Sequence, residues 1–139
     1  MPRTRVETRA RARALQALYA WDLRGGLQLE RVATQMWDDL SVDPGERTLA
    51  EPLIRTIARH QRELDAQITD VTTNWRLERL SVIDRCVLRL AAAELQNAKT
   101  PPRVVIQEAL RLAERYGSLK SAKFVNGVLD TLARRMGRI

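Results

Sequence analysis

Residues 4–24 read TRVETRARARALQALYAWDLR, and their spacing predicts a helix with one basic face and one apolar face. At about 100° per residue, Arg5, Arg9 and Arg13 fall on a single stripe. The residues that cluster on the opposite side are apolar: Ala10, Ala14, Leu15, Leu18 and Trp21. A helix of this kind buries its apolar face against other elements. The stretch therefore predicts a helical protein whose first helix turns its arginines to solvent.

Beside the arginine stripe lie three residues that do not join the apolar face. Tyr19 and Leu23 are four residues apart, and Gln16 lies with them next to the arginines. A basic stripe flanked by an exposed aromatic residue is typical of single-stranded RNA surfaces, where phosphates are attracted and bases stack.

Helical spacing continues along the rest of the chain, with no strand-like alternation. Further helices are predicted at 27–40, from Thr48 to about Ile68, from Ser81 to the break at residues 100–102, at 103–116, and from about Ser121 to Gly137. Thr4 and Thr48 each open a capping-box pattern, and residues 43–45 (DPG) predict a turn. Residues 69–80 fit a short helix followed by a turn. We therefore expect an all-α fold of six or seven helices in one domain, 1–139.

The charge is concentrated at the two ends of the chain. The formal net charge is +7. Residues 1–24 carry six bases and two acids, and residues 103–139 carry eight bases and three acids, whereas residues 25–102 carry ten bases and twelve acids. If the ends fold together, they form one basic patch that suits a polyanion. The alternative is a basic surface that serves solubility alone.

Residues that would carry catalysis or hold a metal are scarce. The one histidine, His60, lies in a polar stretch without partners at helical spacing. Cys86, the one cysteine, resembles a small buried hydrophobe, and no glycine-rich phosphate loop is present. We therefore expect a binding protein rather than an enzyme, with no cofactor and no metal. A single cysteine, no signal peptide and no long apolar run predict a cytoplasmic protein that does not enter a membrane.

Three segments carry a resemblance to a known family. The first is RAR at 9–11 with ALQALY at 14–19, and the second is DR at 84–85, VLRLA at 87–91 and EL at 94–95. The third and most specific is VIQEA at 105–109, YG at 116–117, Ser121, and KFVNGVLD at 123–130. In this order, and nearly end to end, they resemble the NusB family of bacterial transcription antitermination factors.

The resemblance implies a fold and a function. The fold is two small helical bundles packed across each other. Members of the family bind the boxA element of nascent RNA together with NusE, which is also a small-subunit ribosomal protein. The resemblance places this pair in an antitermination complex that keeps RNA polymerase elongating on ribosomal RNA operons.

The resemblance also implies an RNA surface on the arginine-rich first helix. The positions carried over are Arg5, Arg9, Arg11 and Arg13, and Gln16 beside them joins the candidates. The helical wheel turns Arg5, Arg9 and Arg13 outward but places Arg11 nearer the apolar side. A second RNA strip is expected at Lys120, Ser121 and Lys123. The family often has an acid near position 120, so Lys120 should add phosphate attraction there.

A partner surface for NusE is carried over to Tyr19, Leu23, Glu78 and Asp84. An exposed Tyr–Leu pair offers apolar anchor area, and acids suit a basic ribosomal protein. Two alternatives stay open: Tyr19 covers a neighbouring helix, and Asp84 only serves a helix N-terminus. Within the third segment, Gly127 predicts a close helix approach, with Phe124, Val128 and Leu129 in the core.

Two rival functions remain at this point. NusB-like domains also occur at the N-terminus of certain RNA methyltransferases, but we expect no cofactor-binding domain after Ile139. The other rival is a homodimeric helical interaction module that does not bind RNA directly. Family members can self-associate, so a homodimer is a further expected partner.

Overall fold

The computed structural model describes residues 2–72 and 77–139, with side chains from residue 6 onward. Within these residues the chain forms six α-helices and no strand. The helices are α1 (Pro2–Arg24), α2 (Leu29–Asp39), α3 (Pro44–Val71), α4 (Val82–Asn97), α5 (Pro102–Tyr116) and α6 (Ser121–Arg135), and a 3₁₀ turn, Leu77–Arg79, precedes α4. The predicted all-α class is confirmed.

The helices pack as two groups of three. Helices α1, α2 and α3 contact one another, and so do α4, α5 and α6. Helix α4 joins the groups, because α1 and α3 both pack on it. Every residue from Cys86 to Leu95 is buried, as expected for a helix enclosed on all sides. The predicted arrangement of two bundles packed across each other is confirmed.

The apolar face of α1 is positioned as its spacing predicts. Ala10, Ala14, Leu15 and Leu18 are buried, while Trp21 is half-buried against the same core. Burial of this face leaves the opposite side of α1 toward solvent, where Tyr19 and Leu23 are exposed.

Two helix starts differ from the prediction. Helix α1 begins at Pro2, so Thr4 lies inside it rather than capping it. Helix α3 begins at Pro44, four residues before Thr48, and the side chain of Asp43 caps it by accepting a hydrogen bond from Gly45 N–H at 3.0 Å. The prediction of a turn at 43–45 was wrong because Asp-Pro is also a favoured pair at the N-cap and first position of a helix.

Other boundaries were closer. The helix predicted from Ser81 begins one residue later, at Val82, and Ser81 caps it, since its Oγ accepts a hydrogen bond from Asp84 N–H at 3.1 Å. Helix α2 ends at Asp39, one residue before the predicted end, and Leu40 is exposed. Within the stretch 69–80, α3 continues to Val71 and residues 77–79 form the 3₁₀ turn, whereas residues 73–76 lie outside the described residues.

The expected close approach at Gly127 was wrong. Gly127 is exposed, and a Cβ added there would meet nothing within 4 Å. Val128 and Leu129 are buried, as predicted, and Phe124 is half-buried against the core. The crowded glycine is instead Gly117, where a Cβ would lie 2.7 Å from the carbonyl oxygen of Ala113.

Candidate nucleic-acid interface

Two arginines of the predicted basic stripe share one carboxylate. Arg9 Nε donates to Glu46 Oε2 at 2.9 Å, and Arg13 Nε donates to Glu46 Oε1 at 3.1 Å. Glu46 comes from the first turn of α3 and is buried. The arginine side chains reach solvent, with 51% of Arg9 and 30% of Arg13 exposed. The stripe is therefore a surface feature tied to a buried acid.

Glu46 stays ionised at neutral pH. Burial on its own would raise the pKa of Glu46, but hydrogen bonds from Arg9 and Arg13 outweigh it and hold that pKa below its ordinary value. Because the carboxylate keeps its charge, it neutralises part of the basic stripe.

Neighbouring residues also hold the stripe in place. Gln16, which is half-buried, accepts a hydrogen bond from Arg13 Nη1 at 3.2 Å. The indole of Trp37 on α2 donates to the carbonyl of Arg13 at 3.2 Å. Arg5, which we placed on the same stripe, has a side chain outside the described residues.

Arg11 was expected at the RNA surface, and the structure corrects this expectation. Only 7% of Arg11 is exposed. Its guanidinium donates to both oxygens of Glu94, each at 2.8 Å, and approaches Glu108 at 3.4 Å. Arg11 is two residues away from both Arg9 and Arg13, so it lies on the other side of the helix and faces the core. There its guanidinium donates to two buried acids, Glu94 on α4 and Glu108 on α5.

The second predicted RNA strip also contains both exposed and buried residues. Lys120 and Lys123 are exposed, and neither makes an ion pair with a described residue. Ser121 is buried, contrary to expectation, and its Oγ accepts a hydrogen bond from Ser118 N–H at 2.9 Å. Because Ser121 closes the loop before α6, it presents no hydroxyl to a ligand.

The predicted partner residues lie on three elements. Tyr19 and Leu23 on α1 are 39% and 59% exposed. Glu78 is exposed in the 3₁₀ turn, while Asp84 is half-buried in the first turn of α4. Asp84 Oδ1 is buried without a hydrogen-bond partner among the described residues.

A cluster that the sequence did not reveal lies at the same end of α1. Asp22 on α1 accepts hydrogen bonds from Arg85 Nε at 2.7 Å and Arg89 Nη1 at 2.9 Å, both on α4. Arg89 also binds Asp65 of α3 through Nε at 2.9 Å. The hydrogen bond from Arg85 is the main reason that the pKa of Asp22 is lowered, against the opposing effect of burial. Sequence reasoning missed this cluster because its members are far apart in the chain.

Arg85 extends this cluster toward the predicted partner residues. Its Nη1 donates to the carbonyl of Leu80 at 3.0 Å and reaches that of Glu78 at 3.4 Å. The 3₁₀ turn is thereby attached to α1 through Asp22. The cluster therefore connects α1, which carries Tyr19, to the 3₁₀ turn that carries Glu78.

The other singled-out residues fit no catalytic arrangement. Burial is the main reason that the pKa of Cys86 is raised to about 12, so its thiol stays protonated. His60 lies at a kink in α3, and the expectation that it has no partner at helical spacing was wrong, since its Nδ1 lies 3.7 Å from Oε2 of Glu63, three residues on. Among the described positions, no three His, Cys, Asp or Glu residues are grouped to hold a metal. None of the helices in the described ranges combines the length and the apolar stretch that a membrane span requires.

Known proteins match this chain over nearly its whole length. Residues 8–134 match the family model described as the NusB family. The chain is 47% identical over 133 residues to the transcription antitermination protein NusB of Anaeromyxobacter dehalogenans, which covers 94% of this chain and 92% of that one.

Solved structures match over the same extent. One is T. maritima NusB, with a TM-score of 0.85, 37% identity and coverage of 92% of this chain and 90% of that one. Another is a chain from the crystal structure of antitermination factors NusB and NusE in complex with dsRNA. It matches with a TM-score of 0.82 and 32% identity, covering 97% of this chain and 99% of that one.

Proposed function

This chain belongs to the NusB family, and from that premise we propose how its surfaces act in transcription antitermination. It is an antitermination factor rather than an enzyme. We infer that it binds boxA-type single-stranded RNA together with NusE and promotes processive elongation by RNA polymerase on ribosomal RNA operons. The similar chain solved with NusE and dsRNA supports both partners.

The proposal includes the setting in which the protein acts. We propose that residues 1–139 form one domain, which one apolar core shared by all six described helices supports. We also propose that it acts in the cytoplasm, where nascent RNA and RNA polymerase are found.

The observation that carries the RNA proposal is the paired arginine surface on α1. Arg9 and Arg13 reach solvent on the side opposite the buried face, with their Nε atoms held by Glu46. Such guanidiniums bind phosphates and stack on bases. We propose that the RNA surface comprises these two arginines, Arg5, Gln16, Lys120 and Lys123. Arg11 and Ser121 are left out because they are buried.

We propose that NusE binds at Tyr19, Leu23, Glu78 and Asp84. The exposed tyrosine and leucine supply apolar contact area, and the two acids suit a basic partner. Asp84 lies half-buried in the first turn of α4, so only part of its side chain is accessible to a partner.

A binding titration tests both surfaces. A boxA-type RNA and a scrambled RNA are titrated with and without NusE at two salt concentrations. We expect NusE to tighten boxA binding more than scrambled binding, because phosphate contacts alone carry no sequence information. Weak binding to both RNAs that NusE does not change would overturn the proposal and favour a homodimeric interaction module, which sizing in solution would then detect.

Matched variants separate the two surfaces. Arg9→Glu combined with Arg13→Glu should nearly abolish RNA binding with or without NusE, and each lost contact should reduce the salt slope by roughly 0.7. Tyr19→Ala should instead preserve partner-free RNA binding and remove about tenfold of the gain from NusE. Circular dichroism confirms that both variants are folded. If the double variant binds RNA normally, α1 is not the RNA surface.

A further inference from the structure

We propose that Glu46 is a positioning residue that sets the selectivity of RNA binding by holding Arg9 and Arg13 in register. This inference rests on the proposed RNA function of α1. Glu46 itself need not touch RNA, because its two oxygens are both engaged by the arginines.

The geometry gives one rigid carboxylate to two long side chains. Each oxygen of Glu46 accepts one Nε, at 2.9 Å from Arg9 and 3.1 Å from Arg13. The backbone of Glu46 is itself fixed in the first turn of α3, where its N–H donates to the carbonyl of Asp43 at 3.0 Å. Because the acid is buried and anchored, the two guanidiniums are held at a spacing set by a single carboxylate.

The contacts leave the phosphate-binding edge of Arg9 available. Both ion pairs use Nε, and the terminal nitrogens of Arg9 have no hydrogen-bond partner among the described residues. Arg13 places Nη1 on Gln16. Two terminal nitrogens of one guanidinium form the fork that binds a phosphate in bidentate fashion. Glu46 thus holds the inner edge of Arg9 while the outer edge faces solvent.

Glu46 has two opposite effects on RNA binding. Its negative charge weakens the attraction of the stripe for every phosphate, whatever the RNA sequence. Its hydrogen bonds fix the guanidiniums before RNA arrives, which reduces the ordering cost of binding in the correct register. Phosphate contacts place the RNA so that bases can be read. Loss of Glu46 should therefore favour any RNA but reduce the advantage of the cognate one.

The variant Glu46→Gln tests this with the boxA-type and scrambled RNAs in the presence of NusE. We expect the scrambled RNA to bind more tightly and the ratio of boxA to scrambled affinity to fall by about threefold to tenfold. Glu51→Gln is the matched control, since it removes the same charge from an exposed acid on the same helix. An unchanged affinity ratio in Glu46→Gln would mean that Glu46 only lowers the net charge, and would overturn the proposal.

A second variant preserves the charge in case Glu46→Gln folds poorly. Arg9→Lys combined with Arg13→Lys keeps both positive charges and Glu46 but replaces the planar fork by flexible ammonium groups. The affinity ratio should again fall, while binding to the scrambled RNA stays near the wild-type value. A ratio equal to that of the wild type would overturn the proposal. If the wild-type protein itself shows no boxA preference, it is the proposed function that fails instead.

Discussion

The beginning of α1 and the beginning of α6 were both predicted to contact RNA, and they present their charges differently. In each segment a buried residue lies between cations that reach solvent: Arg11 between Arg9 and Arg13, and Ser121 between Lys120 and Lys123. Arg9 and Arg13 of α1 are held by Glu46, whereas the two lysines have no acid partner among the described residues. Helix α1 therefore offers cations at fixed positions, and α6 offers flexible point charges.

This difference shows that the surroundings of a basic residue decide its role. Arg9 and Arg11 are two residues apart in one helix, yet one is half-exposed and the other nearly enclosed. Both form ion pairs with glutamates. Only the exposed arginine has terminal nitrogens left for a ligand, so the comparison can be tested by removing each arginine in turn.

The largest effect should come from Arg11→Ala. Removing this guanidinium leaves the buried Glu94 without an ion-pair partner among the described residues and leaves Glu108 with only the exposed Arg111 at 3.2 Å. This loss should lower the free energy of unfolding by about 3–5 kcal/mol. Arg9→Ala should cost no more than about 1 kcal/mol, because an exposed partner of an ion pair contributes little. Urea unfolding followed by circular dichroism measures both.

A further variant checks the cause of that loss. Adding Glu94→Gln to Arg11→Ala should recover part of the stability, since it removes the buried charge that has lost its ion-pair partner. If Arg11→Ala lowers the free energy of unfolding no more than Arg9→Ala does, burial of the Arg11 ion pairs does not distinguish Arg11 from Arg9.

An intermediate effect should come from Glu46 and should depend on pH. The pKa of Glu46 lies below its ordinary value of 4.5 in the folded protein. Its ion pairs therefore stabilise the fold fully above that value and lose this effect as pH falls through the folded pKa. We expect Glu46→Gln to be less stable than wild type by about 1–3 kcal/mol at pH 7, with the gap narrowing as pH falls below 4.5. A gap that is constant with pH would contradict this origin.

Local patterns in the sequence predicted the frame that carries these clusters. The three-and-four spacing of Ala14, Leu15 and Leu18 identified the buried face of α1, and Ser81 identified the start of α4. The same patterns misplaced the start of α3, because Asp-Pro-Gly suits both a turn and a helix N-terminus. Local spacing predicts those features, such as helix faces and helix starts, that residues close in the chain determine.

The partners of the charged residues could not be predicted in this way. Glu46, Glu94 and Glu108 reach α1 from other helices, and no spacing rule connects residues 33 to 97 positions apart. The helical wheel did place Arg11 toward the apolar side, whereas the family resemblance placed it at the RNA surface. In this chain the wheel was the better guide, since an arginine on an inward face needs a buried acid, and the fold supplies two.

The smallest effects should separate Lys120 from Ser121. Lys120→Ala should leave the free energy of unfolding unchanged, lower RNA affinity about threefold, and reduce the salt slope by roughly 0.7, since it removes one phosphate contact. Ser121→Ala should instead lower the free energy of unfolding and leave RNA affinity unchanged. It removes the acceptor of the Ser118 N–H bond and should cost about 1 kcal/mol of stability, with the salt slope unchanged. If instead Ser121→Ala lowers RNA affinity in a fully stable protein, the serine reaches the RNA. Burial would then not determine which residues at the start of α6 contact RNA, although it would still do so in α1.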